Sequence, residues 1–255
     1  MPRRVIVTRP AAEAVKWVHA LDSEGWDALA LPLITIAPLH DRTLLDAARQ
    51  RVGEYDALMF VSAAAAGHFL RESEVDAAVR CRFWATGPGT THALREAGVP
   101  ASSIDAPASD AAQFDSEALW QLVRDQVRPG TRVLIVRGGD ASGQATGREW
   151  LAREITEAGG ICEAVAAYRR VSPGLSDDER RLAAEAATGS AIWLFSSSEA
   201  ITNLQRMTPG IAWHDASAIA THERVADAAR AAGFGRVIVS RPSLAALIAS
   251  IESCA

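Results

Sequence analysis

Three kinds of turn, each closing a short β-branched run and each occurring twice in the same order, constrain this chain more than any other feature of its sequence. The first is Val7-Thr8-Arg9-Pro10, matched by Ile135-Val136-Arg137-Gly138-Gly139; in both copies an Arg ends the run and a helical stretch then leads to a glycine, Gly25 or Gly159. The second is Phe60-Val61-Ser62-Ala63-Ala64-Ala65, matched by Phe195-Ser196-Ser197-Ser198-Glu199-Ala200. The third is Ala85-Thr86-Gly87-Pro88-Gly89-Thr90-Thr91, matched by Ile219-Ala220-Thr221-His222-Glu223-Arg224, with helices ending at Gly98 and Gly233. An ordered set repeated in this way is the mark of a duplicated structural unit.

The runs before these turns, together with Val237 to Val239, alternate with Ala- and Leu-rich stretches of helical period. That is the pattern of βα units around parallel sheets. With 255 residues the chain has length for two lobes of ordinary domain size. Two further runs break the pattern, Leu31 to Leu39, with Pro32 and Pro38 at its ends, and Ala164 to Pro173, which contains Tyr168. Flanking prolines suit edge strands, so these runs are expected to pair as a two-stranded bridge. The chain would then leave lobe one (1–35 and 172–255) through a strand near 31–39, build lobe two (39–166), and return through a strand near 164–173. A ligand cleft between the lobes is expected.

Several function classes are disfavoured by composition and spacing. The longest apolar runs fall short of the roughly 20 residues of a membrane span, and the opening Met1-Pro2-Arg3-Arg4 leads into Val5-Ile6-Val7 with no apolar signal core. A cytoplasmic protein without a membrane partner is expected. A net charge of −5, with no long basic block, argues against nucleic acid. Cys81, Cys162 and Cys254 are scattered, with neither disulfide nor zinc spacing, and the six histidines show no metal-ligand pattern. No metal site is therefore expected. Gly87-Pro88-Gly89 lacks the third glycine of a dinucleotide fingerprint, since that position is His92. Gly138 to Gly143 has P-loop spacing, but Gln144 and Ala145 stand where the Lys and Ser/Thr belong. No Gly-x-Ser-x-Gly elbow occurs.

What the repeated turns offer is backbone N–H groups and hydroxyls at helix starts, which favour carboxylates or phosphates. Ser62, Thr90, Ser116 and Ser198 are also ordinary N-cap residue types, but repetition at the carboxyl ends of parallel strands places them where such sheets bind ligands. The candidate ligand-binding residues are Thr8, Arg9, Pro10, Ser62, Ala63, Ala64, Gly87, Thr90, Thr91, Arg137, Gly138, Gly139, Ser196, Ser197, Ser198, His222 and Arg224.

Taken in order, these segments resemble the uroporphyrinogen-III synthase family. The resemblance is carried by Val7-Thr8-Arg9-Pro10, Asp56 to Ser62, Thr86 to Thr90, Asp115 to Leu119, Leu134 to Gly138, Gly147-Arg148 with Leu151, Tyr168-Arg169, Phe195 to Ser197, and Ser240 to Ser243. It implies two similar flavodoxin-like or Rossmann-like α/β lobes with parallel sheets, joined by a two-stranded β-ladder, with the linear tetrapyrrole hydroxymethylbilane bound between them. It implies a cofactor-free cyclising lyase of haem biosynthesis. The ring A hydroxyl leaves as water, ring D is attacked at its substituted carbon to give a spiro intermediate, and re-closure inverts ring D. The electron-rich pyrroles drive the loss of hydroxide, so the protein's main contribution is orientation.

The polycarboxylate substrate would be held by the turn amides and hydroxyls, with Arg9 and Arg137 as charge partners. The resemblance further makes Tyr168 the catalytic candidate, because a phenol keeps its proton at neutral pH and can donate to a leaving oxygen. One departure is Thr221-His222-Glu223-Arg224, where many members carry a Gly-Pro-Thr-Thr type of turn; His222 and Arg224 would there supply donors to propionates. A monomer is expected, with transient contact to the preceding pathway enzyme. The alternative is a non-catalytic tetrapyrrole-binding or regulatory module of the same fold.

Overall fold

A computed structural model describes residues 4–70, 81–108, 111, 113–147 and 149–254; Arg148, part of the resemblance above, lies outside them. In chain order the elements are β1 (Arg4–Val7), α1 (Ala11–Ser23), β2 (Ala28–Ala30), β3 (Thr35–Ala37), α2 (Thr43–Gln50), β4 (Ala57–Phe60), α3 (Ala63–Leu70), β5 (Arg82–Ala85), α4 (Pro88–Glu96) and β6 (Ile104–Asp105). There follow α5 (Ser116–Val123), β7 (Arg132–Gly139), α6 (Trp150–Glu157), β8 (Ile161–Val171), α7 (Asp177–Glu185), β9 (Ala191–Phe195), α8 (Ser198–Met207), β10 (Ser217–Ala220), α9 (Glu223–Ala231), β11 (Arg236–Val239) and α10 (Leu244–Cys254). The chain divides into two compact units, Met1–Thr35 with Val171–Ala255, and Ile36–Arg170.

In the first unit the strand order is β11-β10-β9-β1-β2, with every pairing parallel. Alternate residues of its central strands serve two cores. Val5, Val7, Ile192, Leu194 and Ile219 pack with Ala14 and Leu21 of α1 and with Leu247 and Ile251 of α10. On the other face Trp193 and Phe195 meet Trp213 and Phe234 in a ring cluster with centroids 5.1 to 6.3 Å apart. Burial on both faces explains why β9 reads Ala-Ile-Trp-Leu-Phe with no polar alternation.

The second unit has the order β3-β8-β7-β4-β5-β6. Leu58, Phe60, Phe83, Leu134 and Val136 face one core with α3, and Ala57, Met59, Trp84, Val133 and Ile135 face the other with α5 and α6. The two runs expected to pair do so as β3 and β8, the first two strands of this sheet. Two strands are not marked by the sequence pattern: Ala28-Leu29-Ala30 has no β-branched residue and Ile104-Asp105 is only two residues long, and both are held by pairing, with β1 and β5.

The repeat acquires its meaning here. Counted from β1, the first unit runs 2-1-3-4-5 as β2-β1-β9-β10-β11. Counted from β7, the second runs the same way, as β8-β7-β4-β5-β6. This is the flavodoxin-like order, entered at a different strand in each unit. Each pair of repeated turns thus occupies equivalent strands: β1 with β7, β9 with β4, β10 with β5. The helix-ending Gly25 and Gly159, at φ +83 and +87, adopt the same left-handed conformation at equivalent places.

Candidate functional site

In a 2-1-3-4-5 sheet, helices leave the first and third strands toward opposite faces, opening a crevice at their carboxyl ends. In the first unit those strands are β1 and β9, which register Val7 against Leu194. Thr8 to Pro10 and Ser196 to Ser198 therefore lie next to each other, with His222 and Arg224 beyond β10. The Thr8 hydroxyl is buried and donates to the Leu194 carbonyl at 2.7 Å, so it ties the two turns together. The Arg9 guanidinium lies 4.8 Å from the centre of the Trp17 ring and pairs with Glu13 at 2.9 Å, one turn into α1. Pro10 is the N-cap residue of α1 and offers it no side-chain hydrogen bond.

Ser197, not the expected Ser198, caps α8 by accepting from the Glu199 N–H. Ser198 instead stands 3.4 Å from Arg224 Nη1, which links the second and third turns. His222 caps α9, with Nδ1 accepting the Arg224 N–H at 3.2 Å. His222 thus gives α9 a side-chain cap that Gly87, at the equivalent start of α4, does not give its helix.

In the second unit the crevice strands are β7 and β4, with Phe60 against Val136 and Ala85. Ser62 caps α3 through the Ala65 N–H at 3.1 Å, and Ala63 and Ala64 open that helix. Gly87 is the N-cap residue of α4; its carbonyl accepts from the Thr91 hydroxyl, and Thr90 is buried. Thr91 also lines a cavity of about 420 Å³ with Pro88, His92, Arg95, Ile104 and Ala106. Asp115, not Ser116, caps α5.

The expected helix start after Arg137 is corrected. Arg137, Gly138 and Gly139 are residues of β7 itself, which continues past the point where β1 stops. Beyond it the chain turns back, Gly139 bridging to Ala145, and the Asp140 carboxylate takes the Ser142 hydroxyl and the N–H groups of Ser142 and Gln144. These bonds, the Ser142 hydroxyl foremost, lower the Asp140 pKa. A loop whose amides already hold its own carboxylate is no phosphate cradle.

Arg137 is buried, with only 7% of its side chain exposed. Nη2 meets Glu149 at 2.8 Å, while Glu149 is 67% exposed. The Arg137 Nε is buried and, among the described residues, has no hydrogen-bond partner. Burial pushes the neighbouring Cys162 thiol up to about 11 against the pull of Arg137, and burial pushes Cys81 up to about 11 as well. Neither thiol is a nucleophile at neutral pH.

Tyr168 lies on β8 opposite Gly138 and is 5% exposed. Its Oη stands 3.3 Å from the Ser62 Oγ, and the His68 ring is 5.5 Å from its own. Tyrosine, serine and the strand glycine of three separate predicted segments are thus brought to one point. Among the described residues no group of three His, Cys, Asp or Glu side chains is placed to hold a metal ion, and no helix is long and apolar enough to cross a membrane.

Comparison with known proteins decides what this arrangement belongs to. The family model described as uroporphyrinogen-III synthase HemD matches residues 15–249. The chain belongs to the uroporphyrinogen-III synthase family. It is 25% identical over 184 residues to the uroporphyrinogen-III synthase of Chlorobaculum parvum, covering 70% of this chain and 68% of that one. In fold it is similar to a mutant uroporphyrinogen III synthase from the extremely thermophilic bacterium Thermus thermophilus, with a TM-score of 0.61 at 14% identity over 99% of this chain and 98% of that one. It is also similar to uroporphyrinogen-III synthetase from Helicobacter pylori, with a TM-score of 0.59 at 16% identity over 99% and 100% of the two chains. The synthase is a cyclising lyase of haem biosynthesis acting on a small molecule.

The sequence reading missed Glu149 as the partner of Arg137. A buried arginine requires a carboxylate, but burial of Arg137 becomes visible only once β7 is known to continue through it.

Proposed function

We propose that the synthase closes hydroxymethylbilane chiefly by orientation, with Tyr168 donating the proton that lets the ring A hydroxyl leave as water. The strand-end turns hold the substrate carboxylates. Ser196 to Ser198, His222 and Arg224 serve in the first unit, together with Thr8, Arg9 and Pro10. Ser62 to Ala64, Gly87, Thr90, Thr91 and Arg137 to Gly139 serve in the second. The observation that carries the reading is the family match over residues 15–249, joined to a tyrosine whose hydroxyl sits at the carboxyl end of the sheet beside a helix-capping serine. The raised pKa of Cys81 and Cys162 supports a path without a covalent intermediate on either. The reading carries with it a cytoplasmic monomer that makes brief contact with the enzyme delivering the bilane.

Freshly made hydroxymethylbilane incubated with the purified chain, followed by separation of the product isomers, tests the proposal. Uncatalysed closure gives the type I macrocycle. The type III isomer, forming in proportion to protein, is expected; type I alone at every protein concentration would refute the reading.

A further inference from the structure

The setting of Tyr168 is more elaborate than packing requires. Side chains alternate between the faces of a strand, so Val165 and Ala167 of β8 should share one face and Tyr168 should take the other. Yet Val165, Ala167 and Tyr168 all enter the same core. The register explains it: Arg137 pairs with Ala166, but Gly138 pairs with Tyr168, so Ala167 is an extra residue on β8. Such bulges re-aim side chains beside active sites. Here the re-aimed ring comes down on Gly138, where a Cβ would lie 2.7 Å from Tyr168 Cζ, 2.8 Å from Cε2 and 2.9 Å from Oη. Only glycine leaves room for it.

The hydroxyl at the end of this ring meets a serine whose bonding is already half committed. Ser62 Oγ accepts the Ala65 N–H at 3.1 Å and stands 3.3 Å from Tyr168 Oη, a contact in which either hydroxyl can donate. An Oη that accepts from Ser62 keeps its own proton for another oxygen. Hydrogen bonds in series polarise one another, and the series begins at the positive end of α3, so each link draws electron density from the phenol.

We propose that Gly138, Ser62 and the bulge at Ala167 form a seat that aims the Tyr168 hydroxyl and polarises it through the start of α3, making Ser62 and Gly138 positioning residues for closure. This rests on the reading of Tyr168 as proton donor, and the experiment separates the two. The steady-state rate of type III formation is measured for wild type, Tyr168→Phe, Ser62→Ala, the double variant Ser62→Ala/Tyr168→Phe, Ser62→Thr and Gly138→Ala, with thermal melts of each.

Tyr168→Phe should lower kcat by roughly 100-fold or more, in the range of a lost general acid. Ser62→Ala should lower kcat roughly ten-fold, as for one lost hydrogen bond to the donor, with KM within about two-fold, because the turn from Ser62 to Ala64 holds carboxylate through backbone N–H groups that the substitution keeps. Ser62→Thr, which keeps the hydroxyl, should restore it. In the Tyr168→Phe background, Ser62→Ala should add no further loss, because the group it acts through is gone. Gly138→Ala should behave as Ser62→Ala does. Unchanged kcat in Tyr168→Phe would overturn the donor role and the seat with it. A Tyr168→Phe loss with equal Ser62→Ala losses in both backgrounds would overturn the seat alone. Ser62→Ala carries the decision if Gly138→Ala fails to fold.

Discussion

Replacing Arg137 by methionine separates two roles that arginine can have at the end of a strand. The side chain is 7% exposed and pairs with Glu149 at 2.8 Å, and Glu149 is itself 67% exposed. Losing an ion pair with so exposed a partner costs about 0–1 kcal/mol. Removing the charge also removes a buried Nε that has no hydrogen-bond partner among the described residues, whose desolvation works against folding by about 1–3 kcal/mol. Methionine fills much of the same volume, and Glu149 left alone is solvated by water. The second effect is the larger, so Arg137→Met should be as stable as the wild type or up to about 3 kcal/mol more so. Substrate binding should change far more. A charge-assisted hydrogen bond to a substrate carboxylate is worth about 1.5–3 kcal/mol, so KM should rise roughly 10- to 150-fold. Thermal melts and steady-state kinetics on the same preparations provide the assay. A destabilisation of about 3 kcal/mol with KM unchanged would refute the argument and make Arg137 a structural residue.

Three other perturbations follow from the packing. Glu163 on β8 accepts from Tyr55 at 2.9 Å and pairs with Arg51 and Arg132; burial pushes its pKa up, but the bonds from Tyr55 and Arg51 and the charges of Arg51 and Arg132 outweigh it and leave it below 4.5. A carboxylate with a lowered folded pKa stabilises above its unfolded value and loses that contribution as pH falls through the folded one. Glu163→Gln should thus be less stable than wild type at neutral pH, by about 1 kcal/mol after solvent screening, and urea melts should show the gap closing below pH 4.5; a gap independent of pH would contradict the assignment. Trp213→Ala removes a buried ring stacked 5.1 Å from Phe234 and should cost about 3–5 kcal/mol, read as a lowered melting midpoint. Asp115→Ala removes the acceptor of the Ala118 N–H and should cost about 1 kcal/mol by the same measurement, with Asp115→Asn recovering most of it.

Much of this fold is legible in the sequence because it is local. A β-branched run, a hydroxyl or glycine, and a helical period define a βα unit within about 25 residues, which is why β1, β4, β5, β9 and β10 end where the repeated turns begin and β11 contains Val237 to Val239. The order of the repeated turns, and the resemblance they carry, are equally properties of the chain read along its length. The failures have one origin. Ala28-Leu29-Ala30 and Ile104-Asp105 become strands because a neighbour offers them a ladder, and propensity cannot register a neighbour. Arg137-Gly138-Gly139 resembles the turn after β1 in sequence, yet β7 continues through it because β8 is long enough to pair with it as far as Arg169.

The seat of Tyr168 shows the same division. Read along the chain, a tyrosine, a serine and a glycine stand at three separated positions with helix and strand patterns around them, and nothing in those patterns brings them together. Folding in three dimensions settled that β7 lies between β4 and β8, that one extra residue on β8 turns the phenol onto the face of Gly138, and that Ser62 waits at its tip. Periodicity is written in neighbouring residues, whereas this seat is fixed by contacts between residues 30 apart, Gly138 with Tyr168, and 106 apart, Ser62 with Tyr168, where the cost of closing loops is set against the burial of a shared core.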